Sequence, residues 1–360
     1  MKKILIGICG IGNGHINRQS CIIEQLLKRN YKVMVVTTAN KISTLKKRFP
    51  NLKISNIFIP WITCDEKGIN YLECLEKYQE EKVDLFSSFL NFCIEVENYF
   101  DGKPDLVITD YEPNVAQYAY SSNVPLITME QQSKYLYLKE LNIKDFSIKE
   151  EQIRLNCFFP KYSKRIISSF FPMNIYDKDI VTVSPIISKI EKRKTDNKFI
   201  LIYFSPYSDS ANYDKIITIV SKIKNINFKV YTSYYSEYIK KYKFNNIVFS
   251  EFNDKFKEDL SRCSAIITTG GHQLISEAIS LDVPLYVVPL NTYEQHYNAL
   301  MVKKYKLGVF DKISYNNISN FIDNRGKIRE SIKKFKNDYY KDTWQKQFML
   351  VLDEIIDNKK

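Results

Sequence analysis

The sequence predicts an α/β protein with two doubly wound parallel sheets, and three observations predict it. The first is length: 360 residues suffice for two domains of ordinary size, each burying its own core. The second is rhythm. Short apolar runs alternate with amphipathic helical stretches, the pattern of repeated βαβ units. The third is a pair of glycine-marked strand-to-helix turns, at residues 10–14 and 270–271, the setting in which such sheets bind anionic ligands.

Residues 3–9 read as the first strand. Met1 to Cys9 mimics a short signal peptide, but Asn13, His15 and Arg18 break the apolar run and no cleavage site follows. The loop Gly10-Ile11-Gly12-Asn13-Gly14 enters a helix over residues 15–28, with Ile16, Ile22, Ile23, Leu26 and Leu27 inward. Strands are expected over residues 32–37, 52–59, 106–109 and 126–129, with one long helical stretch between Asp65 and Phe100. Residues 138–171 mix aromatic and basic side chains. They read either as an interfacial membrane element or as a helix followed by a strand over 165–169. Residues 184–197 are charged and proline-marked, a linker between domains 1–183 and 198–360. The second series of strands is expected over 199–204, 228–232, 247–249, 265–268 and 285–288, and the tail from Arg325 reads as helices.

Hydrophobic residues at 44% and charged residues at 26% describe a globular chain. The seven cysteines are odd in number and form no C-x-x-C pair, which fits reduced thiols in a cytoplasm. No apolar run approaches the ~20 residues of a membrane span. The net charge of +12 suits an anionic partner, whether a phosphorylated donor, an acidic lipid surface or nucleic acid; lysine-rich compositional bias explains it equally well. No nucleic-acid motif accompanies it.

The densest signal is residues 265–299, AIITTGGHQLISEAISLDVPLYVVPLNTYEQHYNA. An apolar strand ends at Thr268, and Gly270-Gly271 opens a helix with Leu274, Ile275, Ala278 and Ile279 on one face. Glycine admits a close ligand, and the unpaired N–H groups of a helix start carry the positive end of the dipole, so this turn is an anion seat. Asp282 and Pro284 close the helix, and a second strand leads to a helix bearing Gln295 and Asn298. The glycine pair, Glu277 six positions beyond it, the strand between Pro284 and Pro289, and Gln295-His296-Tyr297-Asn298-Ala299 together resemble the donor-binding half of GT-B glycosyltransferases that use nucleotide-diphosphate sugars. The resemblance is to the branch related to the lipid-II-forming N-acetylglucosaminyltransferase and the UDP-glycosyltransferases. It covers most of the chain, most strongly residues 1–20, 105–132 and 264–300.

The resemblance implies a GT-B fold of two facing Rossmann-like domains, with a last helix crossing back onto the first. It implies inverting transfer from a UDP-sugar to the hydroxyl of a small molecule, lipid carrier or cell-surface polymer. No metal or other cofactor is expected, and the setting is cytoplasmic or peripheral at the inner membrane face. His15 matches the base that deprotonates the acceptor, and Asp110 its carboxylate partner. On the residues alone, His15 also suits a helix cap or a phosphate contact, and Asp110 or Glu112 a helix cap. Glu277 matches the ribose ligand. Gly14, Thr269, Gly270, Gly271 and His272 fall among the donor contacts, Glu294, Gln295 and Asn298 beside the transferred sugar, and Phe252 at the base. Ser205 stands where relatives carry a Gly-Ser phosphate loop, here Phe204-Ser205-Pro206-Tyr207-Ser208. Retaining enzymes often place a second glutamate eight residues before the first; here that position is Thr269, which points to inversion.

The three histidines, His15, His272 and His296, all fall in the two glycine-and-helix stretches. A dinucleotide enzyme would want G-x-G-x-x-G and an acid ending its second strand, where this chain has Thr37-Thr38-Ala39-Asn40. No P-loop Gly-Lys-Ser/Thr occurs, and Asp177-Lys178-Asp179 reads as a surface turn. Two rivals stay open. A nucleotide-sugar 2-epimerase usually has an acid pair after its Gly-Gly, where Gln273-Leu274 stands here. A non-catalytic donor-binding subunit would not need His15 and Asp110.

Overall fold

Continuous apolar runs form strands buried on both faces, as parallel sheets covered by helices require. The clearest is β1 (Lys3–Ile8), whose residues from Ile4 to Ile8 are all buried. The computed structural model describes residues 1–10, 13–57, 64–65, 68–69, 71–82, 84–141, 143, 147–188, 199–204, 210–340 and 343–357. After β1 come α1 (Gly14–Lys28), β2 (Lys32–Thr37), α2 (Ala39–Arg48), β3 (Lys53–Asn56), the short pair β4 (Cys64–Asp65) and β5 (Gly68–Ile69), α3 (Tyr71–Glu81) and α4 (Leu85–Phe100). The first half closes with β6 (Leu106–Asp110), α5 (Pro113–Ser122), β7 (Leu126–Glu130), a 3-10 turn (Gln132–Leu136), α6 (Lys149–Phe158), β8 (Lys164–Ser168) and β9 (Ile180–Val183). The second half runs β10 (Phe199–Tyr203), α7 (Ser210–Val220), β11 (Asn227–Tyr231), α8 (Tyr235–Lys241), β12 (Ile247–Ser250), α9 (Lys255–Arg262) and β13 (Ala265–Thr268). It ends with α10 (His272–Ser280), β14 (Leu285–Val287), α11 (Tyr293–Lys304), β15 (Gly308–Val309), α12 (Tyr315–Tyr339) and α13 (Trp344–Asp357).

Two parallel sheets result. The first has the order β3-β2-β1-β6-β7-β8-β9 and the second β12-β11-β10-β13-β14-β15. Each reverses direction beside its first strand, the mark of double winding. The last helix, α13, presents Trp344, Phe348, Val351, Leu352 and Ile355 at helical spacing, and these join Ile4, Ile6, Ile23 and Val33 in the core of the first sheet. Lys164 and Glu354 pair at 2.8 Å across the same contact.

Two expectations change. The single helical stretch between Asp65 and Phe100 is two helices, broken where Lys82 takes a left-handed φ of 45° and Asp84 caps α4 by accepting the Ser87 N–H at 3.0 Å. Residues 138–171 contain α6 and β8, and no described helix is long and apolar enough to cross a membrane. Asp177 Oδ1 accepts the Asp179 N–H at 2.8 Å in a turn leading into β9, a strand too short and too mixed to stand out in the sequence.

Candidate functional site

In an open α/β sheet the binding crevice lies at the carboxyl ends of the strands where their order reverses. In the first sheet that point is between β1 and β6, in register Ile8 to Asp110. In the second it is between β10 and β13, in register Tyr203 to Thr268. The two points come together: α1 lies against α10, and a Cβ built on Gly14 would sit 3.5 Å from Gln273 Cβ.

On the first-domain side, His15 Nδ1 lies 2.7 Å from Asp110 Oδ1. Asp110 is fully buried and receives more than the imidazole. Arg18 grips it with Nη2 to Oδ1 at 2.6 Å and Nε to Oδ2 at 2.8 Å, and Gln19 Nε2 donates to Oδ2 at 3.0 Å. Burial alone would raise this carboxyl; the Arg18 charge, with His15 behind it, overcomes burial and holds it at about 2. A carboxylate can only accept, so the proton between the two side chains belongs to Nδ1, and the lone pair of the imidazole is on Nε2. Arg18 Nη2 also approaches Nδ1 to 3.1 Å, two donors converging on one oxygen. The sequence reading gave Arg18 and Gln19 no part in the site. Their signal was their spacing, i+3 and i+4 from His15 on one helix.

Tyr111 follows Asp110 with φ of 58°, rare for an aromatic residue and a form of local strain that clusters at functional sites. Its ring is 6.3 Å from His15 and its hydroxyl donates to Glu151 at 2.7 Å. Glu112 takes the other role open to these two acids: it caps α5, accepting from Asn114 N at 2.9 Å and Val115 N at 2.7 Å.

On the second-domain side, α10 begins at Gly271 with no side-chain cap, so its first-turn N–H groups keep their donor character. A Cβ on Gly271 would meet nothing within 4 Å. Gly270 is different. Its N–H donates to Gln295 Oε1 at 2.9 Å, which also accepts from Leu290 N at 3.0 Å. A Cβ on Gly270 would lie 2.4 Å from the Gln295 carbonyl oxygen, so packing demands glycine here. Asn298, fully buried, donates to Gly270 O at 2.9 Å. Gln295 and Asn298, expected beside the sugar, also clamp the glycine turn, because their amides satisfy its backbone groups. Glu294 Oε1 accepts from Gln131 Nε2 of the first domain at 2.7 Å.

His272 is buried, and neither ring nitrogen has a hydrogen-bond partner among the described residues. Burial first, then the charges of Lys134 and Arg18, hold it well below the usual histidine range, so it is neutral. Glu277 is also buried; burial raises its carboxyl, and Gln273 Nε2 donates to it at 3.2 Å. Thr269 is buried at the end of β13. His296 bonds back to Thr292 O at 3.1 Å within α11. Phe252 is half-exposed and leans on Tyr203 and Phe256, with ring centroids 5.4 and 4.9 Å away. Ser205 lies outside the described residues.

Between the two sides runs a buried seam. Glu130, Gln131 and Ser133 are nearly or fully buried, and Ser133 donates to Glu130 Oε1. Burial lifts the Glu130 carboxyl to about 7. Tyr135 packs edge-on against Tyr293 and Tyr297 of α11, both at 5.8 Å.

Two facing doubly wound sheets with a returning last helix are the GT-B architecture. Solved structures agree. Arabidopsis thaliana UGT89C1 complexed with UDP-L-rhamnose has a TM-score of 0.69 at 13% identity, covering 99% of this chain and 100% of that one. Acinetobacter baumannii MurG gives 0.63 at 14%, covering 98% and 99%. Phytolacca americana UGT2 complexed with UDP-2fluoro-glucose and pterostilbene gives 0.67 at 14%, covering 94% of each. At such identities the likeness is one of fold. The family is fixed by sequence: residues 2–325 match glycosyl transferase family 1, and the chain belongs to that family. It is also similar to Protein AST1 of Saccharomyces cerevisiae, 32% identical over 100 residues, which are 27% of this chain and 23% of that protein. Protein AST2 of the same yeast is 35% identical over 100 residues. The chain spans about a quarter of the length of these curated relatives.

Proposed function

We propose that this chain is an inverting glycosyltransferase that moves a sugar from a UDP-sugar to an acceptor hydroxyl without a bound metal. The acceptor is a small molecule, a lipid carrier or a cell-surface polymer. The observation that carries the proposal is the 2.7 Å hydrogen bond from His15 Nδ1 to Asp110, on the wall that faces the uncapped start of α10.

That bond leaves Nε2 with a lone pair for the acceptor proton. As His15 takes the proton, the acceptor oxygen bonds to the anomeric carbon from the face opposite the leaving group. The bond from that carbon to the β-phosphate oxygen breaks, its electron pair stays on the diphosphate, and the configuration inverts. Asp110 stabilises the imidazolium that forms. The dipole of α10 and the N–H groups beyond Gly271 stabilise the charge on the leaving diphosphate. Glu277 suits the ribose hydroxyls, and the Phe252 face suits a base. The choice of UDP is supported by two fold neighbours complexed with UDP-sugars. The charge of +12 suits a cytoplasmic protein that rests peripherally on an acidic membrane face.

Calorimetric titration with UDP, dTDP, GDP and ADP in the presence of a chelator tests the donor, with UDP expected to bind best. A preference for another diphosphate removes UDP from the proposal. UDP-sugars incubated with protein alone should keep their sugar configuration, whereas a 2-epimer in that mixture overturns transfer in favour of isomerisation.

A further inference from the structure

The side chain of Lys134 is the least explained group in the seam. It sits in the 3-10 turn after β7 and is fully buried. Its Nζ donates to Gln131 Oε1 at 2.5 Å and, across the domain boundary, to Asn298 Oδ1 at 3.3 Å. Both acceptors are neutral amides. The rings of Tyr135 and Phe171 lie 5.0 and 5.6 Å from it. Burying a cation is costly unless it is paired with an anion, and an apolar side chain of the same volume would suit this position better if packing were its purpose.

Its neighbours point to what it serves. Asn298, which accepts from Lys134, also holds Gly270 O. His272, on the first turn of α10, is close enough for the Lys134 charge to depress its basicity, and both its ring nitrogens are unpartnered although the residue is buried. An amine from one domain, joined through Asn298 to the glycine turn, a neutral donor-capable imidazole just after that turn and an uncapped helix start therefore border the same turn. Each of these three favours negative charge.

We propose that Lys134 is a donor-binding residue supplied by the first domain, whose ammonium group contacts the diphosphate of the nucleotide sugar beside His272. This inference rests on the glycosyl-transfer reading. It adds that the diphosphate site is shared: the second domain supplies the helix start and His272, and the first supplies the Lys134 amine, which a bound anion would hold in its charged form. Closure of the two domains then completes the site for the leaving group, and no metal is needed to neutralise it.

The test is titration of wild type, Lys134→Met and Lys134→Gln with UDP and with uridine at fixed ionic strength, each variant first checked for an intact thermal unfolding transition. Both substitutions alter buried hydrogen bonds to Gln131 and Asn298, so some loss of thermal stability is expected, and each variant is titrated well below its own unfolding transition. UDP affinity should fall roughly ten- to a hundredfold in both variants, the range for one charge-assisted hydrogen bond. Uridine affinity should stay within about twofold, because the nucleoside carries no phosphate. UDP binding unchanged in both variants overturns the role of Lys134 and leaves the transferase reading standing. A wild-type protein that binds UDP no better than uridine overturns that reading, and this inference with it.

Discussion

Arg18→Met is the sharpest perturbation of the candidate site, because the structure states what the guanidinium does. Arg18 and Asp110 are both buried, and two hydrogen bonds of 2.6 and 2.8 Å join them. Burial by itself would raise the Asp110 carboxyl, yet it is held at about 2 against an ordinary 3.8. That difference favours the charged carboxylate by a few kcal/mol, at ~1.36 kcal/mol per pH unit. Methionine keeps the volume and removes the charge, leaving a buried carboxylate with only His15 and Gln19. Breaking a buried pair from one side costs about 3–5 kcal/mol, and the variant should lose stability on that scale at pH 7. The sign with pH follows from the depressed carboxyl. In the wild type the stabilisation is present above the unfolded value near ~3.9 and is lost as pH falls towards about 2. Without Arg18, burial acts with less opposition and the folded carboxyl moves up towards or past its unfolded value, so the stability lost on acidification should shrink or reverse. Urea unfolding of both proteins between pH 3 and 8 measures the two effects together. A variant within ~1 kcal/mol of wild type, with a superimposable acid limb, would refute the claim that Arg18 holds the charge.

Three further expectations follow from the same geometry. His15→Ala should cut turnover by ~10²-fold or more with UDP affinity nearly unchanged, and adding Asp110→Asn should cost little more, since both residues serve one proton transfer; lost UDP binding with preserved turnover would make His15 a phosphate ligand instead. Glu277→Ala should weaken UDP binding by about 1.5–3 kcal/mol per lost charge-assisted hydrogen bond, and calorimetry showing wild-type affinity would mean that Glu277 does not touch the ribose. Glu130, raised to about 7 by burial, should make wild-type stability fall as pH rises from ~4.3 towards 7, because its raised carboxyl favours the folded state only while protonated. In Glu130→Gln that slope should disappear from a urea series over the same range.

The strands were legible where burial on both faces left nothing polar in the run, as in β1 and β2. Asp110 was legible because a carboxylate ending such a run is conspicuous. Arg18 and Gln19 were legible only in their spacing, since a polar stripe on a helix reads equally well as a solvated face. Lys134 was not legible at all. Nothing in Gln131-Gln132-Ser133-Lys134-Tyr135 signals burial, which is imposed by Tyr293, Tyr297 and Asn298 of the other domain. The clamping role of Gln295 was hidden for the same reason: the backbone group it satisfies is Gly270 N–H, 25 residues away in sequence.

The domain boundary combines two kinds of contact with different purposes. Tyr135, Ile143, Ile148, Phe170 and Phe171 of the first half share one apolar core with Ile275, Ala278, Tyr293 and Tyr297 of the second. That contact holds α10 and α11 against the 3-10 turn, since each large buried side chain contributes about 1.5–3 kcal/mol. Arg18, Asp110, Glu130, Lys134 and His272 are buried beside it, where replacing such a polar set as a whole by apolar side chains is often neutral or stabilising. Stability therefore does not explain them. Their burial does make each charge act at a lower effective dielectric, where a fixed donor or acceptor exerts more force on a reacting group than it would in water. On the proposed reading, in which a proton moves at one wall and a diphosphate leaves at the other, both kinds of contact are needed: an apolar one to fix the distance between the walls, and a dry polar one to use it.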